Sequence, residues 1–191
     1  MQIGLEALGV GPGDEVIIPA FTFVATAEAV VKTGAELVVV DIDDSFNICP
    51  DALRAAITEN TRAVIAVHMM GAPAAMDEIT QVAKEAGISV IEDAAQAFGA
   101  KYKGQTVGII GDIGCFSFDS GKAITTGEGG MIVTSDEDLF VKCRALHDHG
   151  HEYSATMPRG GEGALCVGFN FRMTELQAAI GVCQLEKIDE I

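Results

Sequence analysis

Ile-Ser-Val-Ile-Glu-Asp-Ala-Ala-Gln-Ala, residues 88–97, opens on branched apolar residues and runs into two carboxylates. An apolar run without polar alternation is the pattern of a strand covered on both faces, as in parallel sheets. At the carboxyl end of such a strand, Asp93 points into the crevice where open α/β sheets bind ligands. The adjacent pair Glu92–Asp93 reads as facing a ligand rather than a core. The plainer use of Asp93 is to cap a helix starting at Ala94.

Outward from this stretch, strand-length apolar segments at 15–19, 37–41, 63–68, 113–118 and 130–134 alternate with segments of helical period at 24–32, 50–57, 75–86, 136–147 and 173–188. This alternation predicts an α/β fold of three layers, a mostly parallel sheet with helices on both faces. Pro50 suits a first helical turn, and Gly34 and Gly87 stand where left-handed caps end helices. The one long irregular stretch, 148–171, is rich in glycine and carries Pro158 and Arg159; a loop of that length is usually functional.

The second informative stretch is Cys-Phe-Ser-Phe-Asp-Ser-Gly-Lys-Ala-Ile-Thr-Thr-Gly-Glu-Gly-Gly, residues 115–130. It holds Lys122 between a short apolar strand and a glycine-rich turn. A lysine so placed can lose its proton and attack a carbonyl carbon, which makes it a Schiff-base candidate. Pyridoxal phosphate (PLP) needs a lysine for its aldehyde, a carboxylate for its ring nitrogen and donors for its phosphate. Lys122, Asp93 and Ser117 could supply all three. Gly127, Gly129 and Gly130 form neither a G-x-G-x-x-G nor a Walker pattern, and they lead into a strand, so a tight turn framing Lys122 is the better account.

With 191 residues, 49% of them hydrophobic, the chain can bury a substantial core. A formal net charge of −16 opposes binding to nucleic acid. Cys49, Cys115, Cys143, Cys166 and Cys183 are odd in number and show no Cys-x-x-Cys pair, which fits a reducing cytoplasm. No apolar run reaches membrane-spanning length, and the first residues lack a basic leader, so neither membrane insertion nor secretion is expected. His147, His149 and His151 alternate, but Gly150 favours a turn and no carboxylate cluster is predicted to converge on them, so no metal is expected. His68, at a strand end, reads as a structural histidine.

Six motifs stand in order: Gly-Pro-Gly-Asp-Glu-Val at 11–16, Phe-Thr-Phe-Val-Ala-Thr at 21–26, Val-His-Met-Met-Gly at 67–71, Glu-Asp-Ala-Ala-Gln-Ala at 92–97, the segment 117–130, and Gly-Phe-Asn-Phe-Arg-Met-Thr-Glu-Leu-Gln-Ala-Ala at 168–179. Together they resemble the DegT/DnrJ family of PLP-dependent sugar aminotransferases of fold type I. The resemblance implies that Lys122 binds the cofactor covalently, that Asp93 pairs with its ring nitrogen and that Gln96 lies beside its ring hydroxyl. It also implies that Ser117 binds the phosphate, that Phe23 stacks on the ring, and that Asn170 reaches the phosphate of the other subunit's cofactor in a homodimer with shared active sites.

The same resemblance implies a Ser-Gly-Thr phosphate loop before these residues and a small domain after them, so residues 1–191 read as a large PLP-binding domain truncated at both ends. The expected reaction moves an amino group from an amino acid, glutamate, to a keto or aldehyde sugar for polysaccharide or related sugar biosynthesis. The acceptor is a nucleotide-linked keto sugar or an oxidised 3-deoxy-octulosonate; His-Asp-His-Gly-His-Glu at 147–152 with Met-Pro-Arg-Gly at 157–160 looks more like the second. A sugar dehydratase of the same family carries histidine in place of the lysine, so Lys122 argues for the transaminase. A non-catalytic truncated piece is the alternative of a different class. A nicotinamide-dependent enzyme would need a dinucleotide fingerprint that is absent.

Overall fold

The computed structural model describes residues 1–158 and 160–190; Arg159, in the long glycine-rich loop, and Ile191 lie outside the described residues. In chain order the elements are α1 (Gln2–Ala7), β1 (Glu15–Pro19), α2 (Val24–Thr33), β2 (Glu36–Val40), α3 (Pro50–Ala56), β3 (Thr61–Val67), α4 (Met76–Ala86) and β4 (Ser89–Asp93). There follow β5 (Lys101–Tyr102), β6 (Gln105–Thr106), β7 (Ile113–Ser117), β8 (Gly130–Val133), α5 (Glu137–Leu146) and α6 (Glu175–Leu185).

Six strands form one sheet in the order β2-β1-β3-β4-β7-β8. Every neighbouring pair is parallel except β7–β8, which is antiparallel. The period of two sends alternate residues to opposite faces. On β1, Val16 and Ile18 join a core with Leu5 of α1, Val30 of α2 and Cys143 of α5, while Ile17 joins Leu53 of α3 and Ile79 of α4 on the other side. Helices therefore cover both faces, as the sequence predicts. Each fully buried isoleucine, Ile17, Ile65 and Ile91 among them, contributes about 1.5–3 kcal/mol of hydrophobic stabilisation.

Local signals account for the helix ends. Gly34 and Gly87 adopt left-handed backbone at φ 82° and 69°, and Pro50 opens α3. The buried residues of α4, Met76, Ile79, Val82 and Ala83, lie on one helical stripe, with Asp77 and Glu78 in its first turn and Lys84 in its last, as the helix dipole favours. The β5–β6 hairpin is not foreseen in the sequence: its strands of two residues are too short to show a period. Lys103 and Gly104, with φ of 49° and 88°, make its two-residue turn.

Two close contacts tie outlying segments to the sheet and its loops. A Cβ at Gly114 on β7 would lie 1.8 Å from the Gly108 carbonyl oxygen, so the loop between β6 and β7 rests directly on the strand. At the other end of the chain, α6 buries none of its side chains and leaves Leu176 80% exposed. It begins with a Thr174–Gln177 capping box, and Gln177 Nε2 donates to the Glu128 carbonyl at 2.8 Å, in the glycine turn after Lys122.

Candidate active site

Asp93 is the last residue of β4 and only 6% exposed. Its Oδ2 accepts from Thr26 Oγ1 at 2.9 Å and its Oδ1 from the Ala95 amide at 3.2 Å. Thr26, fully buried, sits in the first turn of α2, where its amide donates to the carbonyl of Phe23, the N-cap. Phe23 is 67% exposed, an aromatic face turned to solvent beside the carboxylate's partner. In the turn after β4, the Gln96 Oε1 accepts from the Met70 amide at 2.9 Å. Met70 holds a positive φ of 53°, uncommon for a residue with a side chain.

Neighbouring β7 is in register with β4 through Asp93 and Cys115, which brings Ser117, the last residue of β7, to the same edge. Ser117 is half-buried and its Oγ accepts from the Asp119 amide at 3.3 Å. Asp119 caps the turn that carries Lys122: its Oδ2 accepts from the Gly121 amide at 3.0 Å and its carbonyl from the Lys122 amide at 3.0 Å. Thr126 latches the far side, its amide donating to the Phe118 carbonyl at 3.0 Å and its hydroxyl to the Glu128 carbonyl at 2.7 Å. Lys122 is half-buried, and its ammonium makes no hydrogen bond or ion pair with any described residue.

Asp93, Phe23, Gln96, Ser117 and Lys122 thus belong to segments at the carboxyl edge of the parallel strands. Asn170 is placed apart from them. It bridges to Asp148 beyond α5, and its Oδ1 accepts from the Arg172 amide at 3.3 Å; none of its bonds reaches the other five.

Glu92 corrects the reading of the carboxylate pair. It does not face a ligand: it is fully buried on the opposite face from Asp93, where Oε2 meets His68 Nε2 at 3.0 Å. Its oxygens also accept from the amides of Gly108, Ile110 and Gly111 at 2.7, 2.6 and 2.7 Å. Burial pushes its carboxyl up, but His68 and the three amides outweigh this and hold it below the usual glutamate value. His68 is structural, as expected: Nδ1 accepts from the Ala74 amide at 3.1 Å, which places the ring proton on Nε2, facing Glu92.

Of the three alternating histidines, His149 and His151 set their rings edge to face at 6.3 Å, and His147 is bonded apart from them. His147 Nδ1 is 2.6 Å from the Arg144 carbonyl, His149 has a positive φ of 55°, and His151 Nδ1 lies 3.1 Å from Glu162 Oε1. The residues that sequence reasoning missed are Thr26 and Thr22. A threonine on the buried face of a helix demands a polar partner, and that signal was present in Phe-Thr-Phe-Val-Ala-Thr. A cleft of about 510 Å³ lies elsewhere, between the start of α1, β7–β8 and α5, and none of the six candidate residues lines it.

A buried carboxylate thus ends β4, and a lysine amine lies in the turn that follows the adjacent parallel strand β7, at the carboxyl edge of an α/β fold. The family model of the DegT/DnrJ/EryC1/StrS aminotransferases matches residues 1–191, and the chain belongs to that family. It is 47% identical over 191 residues to the GDP-perosamine synthase of Caulobacter vibrioides, covering 100% of this chain and 50% of the relative. Among solved structures, the aminotransferase from Psychrobacter cryohalolentis superposes with a TM-score of 0.94 at 43% identity, over 99% of this chain and 50% of that one. NtdA from Bacillus subtilis, with bound cofactor PMP, gives 0.89 at 38% identity, over 99% and 42%. The chain spans about half the length of the curated relatives it matches.

Proposed function

We propose that these residues form the large cofactor-binding domain of a longer PLP-dependent sugar aminotransferase, which moves an amino group from glutamate to a nucleotide-linked keto sugar. The observation that carries this reading is that a buried Asp93 ends β4 while the turn after the neighbouring β7 holds Lys122, whose amine makes no hydrogen bond or ion pair with any described residue. The similarity to a GDP-perosamine synthase favours a nucleotide-linked acceptor over an oxidised 3-deoxy-octulosonate.

The donor set fits the cofactor. Lys122 supplies a primary amine, Asp93 an anion and Ser117 a hydroxyl. Gln96 accepts from the Met70 amide at Oε1 and has no partner for Nε2 among the described residues, and Phe23 offers an exposed ring face. When bound, pyridoxal phosphate supplies an aldehyde to take the amino group and a ring to draw electrons from the carbon that loses its proton. Lys122 Nζ would hold the cofactor at its aldehyde carbon and would move protons to and from the reacting carbon. Asp93 keeps the ring nitrogen protonated, an electrostatic contribution strengthened by its burial.

Asn170 reaches the cofactor phosphate of a second copy in a homodimer. The exposed Val167, Phe169, Phe171 and Leu176 around it form the apolar surface that the second copy covers. The aminated sugar serves polysaccharide synthesis in the cytoplasm, in keeping with five unpaired cysteines.

The test uses the full-length enzyme with PLP. GDP-perosamine and 2-oxoglutarate should yield glutamate by the reverse reaction, and borohydride reduction with peptide mapping should place the pyridoxyl group on Lys122. Glutamate absent with the adduct on Lys122 overturns the acceptor; an adduct elsewhere overturns the site.

A further inference from the structure

The structure assigns Thr26 a role as the positioning residue for Asp93, a role that rests on the proposed cofactor site. Thr26 is 0% exposed and sits in the layer of Ala29 and Val30, so its hydroxyl must be paired within the protein. It has two partners, Thr22 Oγ1 at 2.7 Å and Asp93 Oδ2 at 2.9 Å. An ionised carboxylate only accepts, so Thr26 donates to Asp93 and its own oxygen accepts from Thr22. The direction of this chain of hydroxyls is thereby fixed.

Thr26 is the only side chain hydrogen-bonded to the Asp93 carboxylate among the described residues; the other donor is the Ala95 amide, at 3.2 Å, in the turn that Asp93 itself begins. The terminal torsion of an aspartate is broad and soft, so a carboxylate held at one oxygen can still turn. The Thr26 bond removes that freedom from a distance of 67 residues along the chain. The Thr26 amide also bonds the Phe23 carbonyl, at 3.1 Å, so one helical turn sets both the ring platform and the carboxylate. Thr26 touches neither substrate nor cofactor in this role; it acts through Asp93.

The test compares Thr26→Val, which keeps shape and removes the donor, with Thr26→Ser, which keeps the donor, and with Thr22→Val, all in the full-length enzyme. Thr26→Val is then repeated in an Asp93→Asn background. The readouts are the PLP dissociation constant and the pH midpoint of the absorbance band of the lysine-bound cofactor. Thr26→Val should weaken PLP binding about tenfold or more and move the midpoint, because a hydrogen bond to a charged group is lost. Thr26→Ser should stay within about twofold of the parent, Thr22→Val should fall between them, and Thr26→Val should add little once Asp93 is Asn.

Parent-like affinity and midpoint in Thr26→Val overturn the inference, as does an equal loss in the Asp93→Asn background or a failure of serine to rescue. Should Thr26→Val not fold, a parent-like Thr22→Val overturns it instead. A parent enzyme with no lysine-bound band overturns the cofactor reading and this inference together, whereas a normal parent with a normal Thr26→Val overturns this inference alone.

Discussion

Glu92 and Asp93 are neighbours on β4 and yet work in different layers of the molecule. Asp93 reaches Thr26 on the side covered by α2, and Glu92 meets His68 and the loop carrying Gly108, Ile110 and Gly111 on the other. The two-residue period of the strand divides one acidic pair into a carboxylate bonded to α2 and a carboxylate that ties strand, histidine and loop together on the opposite face.

Asp93→Asn in the full-length enzyme should leave the cofactor bound to Lys122 while reducing kcat about a hundredfold or more. The amide can still accept from Thr26, so the packing survives, but it has no charge with which to keep a ring nitrogen protonated. Absorbance spectra and single-turnover rates separate the two effects. Turnover within a few-fold of the parent would make Asp93 structural.

Glu92→Gln should cost about 2–4 kcal/mol of folding stability near neutral pH, because a glutamine NH₂ would face donors that now converge on a carboxylate. The folded carboxyl lies below its ordinary value of 4.5, so its contribution is present above that value and is lost as pH falls through the lower, folded one. Urea unfolding from pH 7 down to pH 3 should therefore show a shallower acid limb in Glu92→Gln than in the parent. An acid limb of equal slope would mean that other carboxylates set it.

Iodoacetamide at pH 8 should label the exposed Cys183 and spare Cys115 and Cys143 until the chain unfolds. Burial, with Cys115 nearby, pushes the Cys143 thiol up to about 11, and burial raises Cys115 as well. The Cys143 thiolate fraction at pH 8 is then on the order of one in a thousand. Peptide mass mapping over time checks the order; labelling of Cys143 as fast as Cys183 would contradict the packing of α5 on β7.

Much of the fold was legible in the sequence because its signals were local. The apolar run into Asp93 announced a strand end, and the small residues around Lys122 announced a turn. What failed was any judgement of facing: 88–91 is apolar but for Ser89 and shows no regular alternation, so nothing in it says which of Glu92 and Asp93 looks towards α2. Thr26 went unassigned for a related reason, since a partner 67 residues away exists only once α2 lies on the sheet. The β5–β6 hairpin is too short for periodicity to register. The place of Asn170 was implied by resemblance alone, and within this chain it is bonded to the segment after α5 rather than to the other candidates.

Gln177 is tied to the carbonyl of Glu128, and a Cβ at Gly181 would lie 3.2 Å from the Thr126 side chain, so both of these contacts of α6 fall in one turn. The helix thus lies along the turn that closes behind Lys122, with its outer side chains turned to solvent. Any surface that covers the exposed side of α6 therefore lies one helix width from the turn that follows Lys122.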